Sequence, residues 1–337
     1  MRNKPFKIAV LPDNKPKNIP SLKPFYENLP PLPQADLPLS PMFMTLDRQL
    51  VYSTSPGGVQ AVITKVESLL DRDFGVRKLI KAGSTETGTG IKGHCDVDYL
   101  VCLRSSSVSS DSSEMLTKTY NCLRRGFGTN AKLDLPAIVI RYGNSVGEQL
   151  DVVPIFNMHD QDQLAELGYP DYVPPTPLEQ FYLPGFSGDW LPTDPVHHIL
   201  SIENTDIQQG GRMRRLIRLL KAWKYGNKVP IISYYLESFA LHLAFEELFS
   251  DSPQLNLFKI FNCMNYIFKQ PNVSIVDPNI YSDWGRIVPS SREDFPLVES
   301  AVMQAAYWSS IALDAEWRGN LESAQSIWTN LFQRQIS

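Results

Sequence analysis

Cysteine is scarce in this sequence: Cys95, Cys102, Cys122 and Cys263 are the four in 337 residues, with no C-x-x-C pair and no histidine at zinc-finger spacing. That excludes a zinc finger and a dense disulfide scaffold, and it suits reduced thiols in a cytoplasm. Long apolar runs are missing too, since the most apolar stretch, 231–245, carries Glu237 and His242 and falls short of a bilayer span. The opening MRNKPFKIAV lacks the apolar core of a signal peptide, so a soluble, cytoplasmic protein with no membrane partner is expected. Nor is there an excess of positive charge. Thirty-two Lys and Arg against 36 Asp and Glu leave a net charge of −4, which excludes a bulk cationic coat for nucleic acid and leaves only a local basic patch. No repeat of solenoid period is present.

Apolar residues make up 43% of the chain, enough to fill one large or two ordinary domains. Ten of the 26 prolines fall in the first 41 residues, in runs such as LPPLP at 29–33. Fixed φ and missing donors there predict an extended arm, 1–56, either strapped over its own domain or offered to a partner. After Pro56-Gly57-Gly58, Val59, Ile63, Val66, Leu69 and Leu70 recur at helical spacing as far as Asp73. Val97, Tyr99, Val101 and Leu103 alternate with Asp98, Leu100 and Cys102, the pattern of a strand ending at Arg104. The Ser-rich stretch 105–113 is a loop, and strands over 137–142 and 148–156 flank Gly143-Asn144 as a hairpin. Seven prolines between Pro170 and Pro195 predict a long irregular crossing. Beyond it Met213, Leu216, Ile217, Leu220 and Trp223 form one helical stripe, Leu236, Phe239, Ala240 and Leu243 another, and Phe295 to Phe332 is helical. Strands first and helices second predict an α+β protein, with a catalytic core over 57–195 packed on a helical domain over 196–337.

The chemistry concentrates in Lys81 to Leu103, KAGSTETGTGIKGHCDVDYLVCL. Gly83-Ser84 and Gly88-Thr89 offer close backbone approach, N–H donors and a hydroxyl, which suit phosphate oxygens. Asp96 and Asp98 are two apart on a strand, so both carboxylates leave one face. Like charges that close raise each other's pKa unless a cation separates them, and hard oxygen ligands beside phosphate suit Mg²⁺. Asp151, mid-strand in EQLDVVPIF, is the candidate third acid, because a carboxylate among core residues is costly without a cation. Three acids could hold two metal ions about 3.5–4 Å apart for in-line phosphoryl displacement. Alone, D-x-D reads as a solvated turn and G-S as nothing; joined in G-S-x3-G-T-x6-D-x-D and then L-D-V-V-P, they point to nucleotidyl transfer. His94 and Cys95 are expected only to fill the loop. Arg214, Arg218 and Lys221 share one helix face, and a solvated basic face stands there beside a phosphate site. Tyr234 and Tyr235 fit either a core or base stacking.

The pattern GSTETGTGIKGHCDVDYLV followed by QLDVVPIF resembles the polymerase-β-type nucleotidyltransferase superfamily, in the branch that holds oligoadenylate synthases, cGAS and the bacterial CD-NTases. RLIRLLKAWKYGNKVPIISYYLESFALH and VDPN at 276–279 are similar to that branch's helical half. The resemblance covers about Val59 to Pro289 and implies a mixed-sheet core packed on a C-terminal helical bundle with a cleft between two lobes. It implies that Gly83 and Ser84 hold the donor triphosphate and that Asp96, Asp98 and Asp151 hold two Mg²⁺ ions, for which Mn²⁺ can substitute. Asp151 would help activate the attacking hydroxyl, Lys221 and Ser233 would contact donor phosphates, and Tyr234 would stack on the base.

Double-stranded nucleic acid as an activator demands a broad cationic surface, which the charge balance disfavours, and the His/Cys zinc cluster associated with cGAS has no counterpart. The resemblance is then to the bacterial CD-NTases, and implies NTP substrates, ATP among them, joined into cyclic di- or trinucleotides for antiphage (CBASS) signalling, with regulatory or effector proteins of a defence operon as partners. The alternatives are a template-free RNA nucleotidyltransferase of CCA-adding or tailing type, a linear oligoadenylate synthase, and an inactive nucleotide-binding module. Asp96→Asn combined with Asp98→Asn is expected to abolish turnover while leaving the thermal transition largely intact, because removing clustered charge relieves repulsion. Collapse of the melting curve would instead make the acids structural.

Overall fold

The computed structural model describes residues 37–52, 58–94, 96–143, 148–157, 181–185, 188–245, 249–270, 273–276 and 286–332. The chain divides into two compact units. One holds Ser53–Gly88 and Gly93–Ile199; the other holds the segment ending at Tyr52, the four residues Thr89–Lys92, and Leu200–Ser337. Together they make an α+β protein, as the distribution of strands and helices predicts.

The first unit is built on a mixed sheet. Its described elements are α2 (Val59–Phe74), β1 (Val76–Ala82), the short α3 (Gly83–Glu86), β2 (Val97–Leu103), α4 (Ser112–Phe127), β3 (Ala131–Asp134), β4 (Ala137–Arg141), β5 (Gln149–Asn157), β6 (Phe181–Pro184) and β7 (Trp190–Thr193). The order is β1-β2-β5-β4-β3, with β6 pairing both β5 and β7. β2 and β5 run parallel and the other pairings are antiparallel. The expected hairpin is β4–β5, with Ile138 opposite Val152; residues 144–147 of its turn, like Cys95, lie outside the described residues.

Alternation along β2 and β5 decides what each face carries. Val97, Val101, Leu103, Leu150, Val152 and Phe156 join Ile63, Val66 and Leu70 of α2 and Met115, Leu116 and Leu123 of α4 in one core. Leu100, Cys102 and Ile155 point the other way, into a smaller cluster with Ile80, Ala82 and Phe181. Asp111 caps α4, its Oδ1 accepting the N–H groups of Ser113 at 2.9 Å and Glu114 at 3.1 Å.

The other unit is helical: α1 (Ser40–Leu50), α6 (Arg212–Gly226), α7 (Ser233–Phe245), α8 (Pro253–Phe268), α9 (Phe295–Trp317) and α10 (Leu321–Leu331) with the small β8 (Ile275–Val276) and β9 (Arg286–Ile287). α5 (Pro195–Gln208) carries the chain across the division, which falls between Ile199 and Leu200 rather than after residue 195. The predicted stripes of α6 and α7 are buried in one large core. Gly319, at φ 77°, ends α9 and splits the helical stretch expected over 295–332.

Two expectations change. The segment expected to be an extended arm, 1–56, contains α1: Pro41 occupies the first turn, where no N–H is needed, and Phe43 and Leu46 bury one face in the helical unit. Phe43 meets Trp328 edge-on at 5.1 Å. Residues 1–36 and 53–57 lie outside the described residues. The proline-rich crossing likewise contains β6 and β7, because Pro184 and Pro192 sit in a two-strand extension at the edge of the sheet, where a missing donor costs little. α4 and β3 were not anticipated.

The helical unit consumes its cations internally. Arg218 Nε and Nη2 donate to the Asp47 carboxylate at 2.7 and 3.0 Å, both residues being buried. Arg214 pairs with Asp206 at 3.4 Å, so neither arginine makes the solvated face that sequence periodicity allowed. Among the described residues no helix is long and apolar enough to cross a membrane. Arg218→Met is expected to destabilise the protein by about 3 kcal/mol, since it leaves the buried Asp47 carboxylate only the looser pairing with Arg215 at 3.6 Å, with denaturant unfolding as the measurement.

Candidate active site

The sheet face opposite α2 and α4 carries the acids. β1 ends at Ala82, whose partner on β2 is Asp98. Asp98 is in register with Asp151 on β5, Asp151 with Val139 on β4, and Val139 with Lys132 on β3. Parallel pairing of β2 and β5 therefore sets two carboxylates side by side on one row. Asp96 lies two residues upstream on the same face.

Gly83 opens α3 at φ 67°, a conformation open to glycine at little cost. A Cβ there would collide with the Asp98 carboxylate. The tight turn is thus made by a residue that leaves the acid room, and Ser84 follows it, half-buried, in the first turn of α3. Thr87 closes the turn, its N–H donating to Gly83 O at 3.1 Å.

Electrostatics mark Asp151. Burial, then the charge of Asp96, then that of Asp134 raise its pKa to about 7. Its Oδ1 is buried and has no hydrogen-bond partner among the described residues, an arrangement that costs free energy unless another group satisfies it. Burial also pushes Asp96 up, opposed by a hydrogen bond from Gln149 and by the charge of His94. Asp134, exposed on β3, is an acid that sequence reasoning missed; it lies 17 positions from Asp151, and only the sheet brings them together.

No three His, Cys, Asp or Glu side chains among the described residues converge into a preassembled metal cage. The donor set nevertheless fits a hard divalent cation. Clustered carboxylates, an orphaned buried Oδ1 and a glycine cradle beside Asp98 are what such an ion would satisfy.

The helical unit holds the other candidates. Lys221 is buried, with its Nζ 2.5 Å from Glu237 Oε1 and 3.0 Å from Thr89 Oγ1, which itself donates to Glu237 at 2.8 Å. This triad ties the tail of the glycine-rich motif, Thr89–Lys92, to α6 and α7. Lys221 is committed to structure here, because its burial requires the charge of Glu237. One turn on, Lys224 Nζ donates to Ser233 Oγ at 2.7 Å. Its pKa is pushed down to about 8 by burial and then by the charge of Lys221, with Glu237 opposing. Ser233 starts α7, where N–H groups and the helix dipole favour an anion. Lys224 was missed, although the K-x-x-K spacing of Lys221 and Lys224 offered both as partners for that serine. Tyr234 is half-buried beside it, whereas Tyr235 is buried in the core with its hydroxyl donating to Val273 O at 3.2 Å. Of VDPN, residues 277–279 lie outside the described residues.

No protein-family model matches the sequence, and no curated protein does. Solved structures do. CdnC of E. coli MS115-1 with ATP superposes with a TM-score of 0.66 at 16% identity, over 90% of this chain and 100% of that one. CdnC in its complex with HORMA-deltaN gives 0.64 at 16%, over 90% and 99%. Vibrio cholerae DncV cyclic AMP-GMP synthase, holding the linear intermediate 5′ pppA(3′,5′)pG, gives 0.55 at 14%, over 90% and 82%. The chain has the fold of these bacterial CD-NTases.

In chelator, raising the pH from about 4 through 7 forces Asp151 to ionise in the fold, whereas it ionises freely near pH 4 when unfolded. The native protein therefore loses stability across that window. Asp151→Asn is expected to melt higher than wild type at pH 8 and to lose that advantage near pH 4. Lys221→Met is expected to lower stability by about 3 kcal/mol by stranding Glu237, while Lys224→Met, which strands no acid, leaves the melting temperature within a few degrees.

Proposed function

We propose that the protein is a nucleotidyltransferase that joins NTPs, ATP among them, into a cyclic di- or trinucleotide signal. The observation that carries this reading is the row formed by Asp98 and Asp151, with Asp96 on the same face and Gly83-Ser84 at its edge. Three carboxylates beside a glycine-opened turn suit the transfer of a phosphoryl group better than they suit any core. The fold supports the same reading: DncV, which shares it, is a cyclic AMP-GMP synthase held with a linear intermediate.

Gly83 and Ser84 cradle the triphosphate of the donor nucleotide. Asp96, Asp98 and Asp151 would hold divalent cations, Mg²⁺ or Mn²⁺, which when bound would neutralise the phosphate charge and acidify a hydroxyl. In the reaction, the 2′- or 3′-hydroxyl of one nucleotide attacks the α-phosphorus of another; a P–O bond forms and pyrophosphate departs with the broken P–O bond. Asp151, placed on the row beside Asp98, would help activate the attacking hydroxyl by accepting its proton. A second transfer, from the linear product's own triphosphate onto its free hydroxyl, closes the ring.

In the helical unit, Lys224 with Ser233 is the phosphate-binding pair in place of Lys221, and Tyr234 supplies a stacking face. Regulation or effect through protein partners of a defence operon, in antiphage signalling, fits the HORMA-deltaN complex formed by CdnC. A cytoplasmic location accords with the NTP substrates.

Incubation with four NTPs and Mg²⁺ or Mn²⁺, without nucleic acid, followed by phosphatase and mass spectrometry tests the reading. A phosphatase-resistant product with the mass of a cyclic oligonucleotide is expected; linear, phosphatase-sensitive products alone would favour an oligoadenylate or tailing enzyme. Lys224→Met is expected to raise KM for NTP about tenfold or more, the scale of one lost charge-assisted contact. Wild-type KM should also rise as pH passes about 8 and Lys224 loses its charge, and this rise should be missing from the variant's profile.

A further inference from the structure

The glycine-rich segment is fastened at both of its ends. Upstream lies the turn that opens at Gly83 and carries Ser84. Thr87, itself buried, locks that turn, its N–H and its Oγ1 both donating to Gly83 O, at 3.1 and 3.3 Å. Downstream, Thr89–Lys92 belongs by its contacts to the helical unit, although Gly88 before it and Gly93 after it belong to the sheet unit. Both flanking glycines have positive φ, 69° and 83°, so the chain enters and leaves the helical unit through conformations that glycine adopts at little cost.

Three anchors fix those four residues. Thr89 is fully buried; its hydroxyl donates to Glu237 Oε1 at 2.8 Å and accepts from Lys221 Nζ at 3.0 Å. Ile91, also buried, forms an antiparallel bridge with Val51, the residue that caps the end of α1. The Lys92 N–H donates to Leu50 O at 2.8 Å. α1 is pinned in turn by the pair of Asp47 with Arg218 and by the Leu39 N–H, which donates to the buried Glu316 at 2.7 Å. Hydrogen bonds to ionised groups are about twice as strong as neutral ones, and Thr89 makes two of them at one oxygen. Its place is therefore tightly set. Gly88 alone separates the locked Thr87 from the locked Thr89, a span of at most about 7 Å between Cα atoms. Slack at Thr89 reaches the Gly83-Ser84 turn within a few bonds.

We infer that Thr89 is a positioning residue for the donor nucleotide: its hydroxyl, gripped by Lys221 and Glu237, holds the glycine-rich segment so that Gly83 and Ser84 meet the triphosphate in a fixed geometry. This role rests on the nucleotidyltransferase reading and deepens it, since Lys221 then acts on the triphosphate site through Thr89 instead of by direct contact.

Thr89→Val tests it, because valine keeps the side-chain shape and leaves Lys221 and Glu237 paired directly at 2.5 Å. With ATP and Mg²⁺, KM is expected to rise about tenfold, the scale of one lost charge-assisted hydrogen bond, with kcat within about twofold of wild type. Thr89→Ser, which keeps the hydroxyl, is expected to restore the wild-type KM. Hydrogen exchange without nucleotide reads the segment itself: amides of 84–92 are expected to exchange about fivefold faster or more in Thr89→Val, while those of α6 and α7 keep the wild-type rate. If Thr89→Val melts far below wild type, Thr89→Ala replaces it with the same expectations. An unmoved KM, a Thr89→Ser variant as impaired as Thr89→Val, or unchanged exchange over 84–92 would overturn the inference. Wild-type protein that makes no product from any NTP would instead overturn the catalytic reading on which the donor role rests, a failure told apart because it leaves the exchange difference standing.

Discussion

The parallel register of β2 with β5 is the constraint on which the candidate site depends. It sets Asp98 beside Asp151, and alternation then assigns everything else: the odd-numbered apolar residues of β2 face α2 and α4, while the acids face away. A slip of β2 by one residue would bury Asp98 under α2 and α4 and turn Val97 onto the open face. The apolar core on one face thus enforces the position of charges on the other. Those charges repel each other, and among the described residues Asp151 Oδ1 has no partner. Stability is lost there, and any bound group that satisfied this oxygen and offset the clustered charge would restore it.

The helical unit solves a different problem, the burial of cations. α6 carries Arg214, Arg218 and Lys221 along one side, and each meets an acid from a separate element: Asp206 of α5, Asp47 of α1 and Glu237 of α7. These pairs add little net stability compared with apolar packing, but each specifies which element lies against α6, since a wrong neighbour would leave a buried charge unpaired. Lys224 stands apart from that set. Its hydrogen bond is to a neutral hydroxyl, and among the described residues Glu237 acts on it through its charge without pairing with it as it does with Lys221.

Much of this was legible in the sequence, and particular residues show why. Asp96, Asp98 and Asp151 stood out because strand alternation is local, so the face shared by two acids can be read from spacing alone. The apolar stripe of α6 was equally plain. α1 was hidden because proline density argued against regular structure, although a proline in the first turn of a helix costs nothing. β6 and β7 were hidden for a related reason, their prolines sitting on a sheet edge. The choice between Lys221 and Lys224 was not local at all. It depends on Glu237 and Thr89, which come from distant parts of the chain, and on which ammonium is buried beside them. Asp134 is the same kind of case, since its influence on Asp151 passes through two strand pairings.

The depressed pKa of Lys224 carries a chemical corollary. An amine with a pKa near 8 has roughly a tenth of its population unprotonated at pH 7, whereas an ordinary lysine has less than about a thousandth. The free amine is the nucleophile, so the burial that lowers this pKa leaves more of Lys224 in the reactive form than of an ordinary lysine.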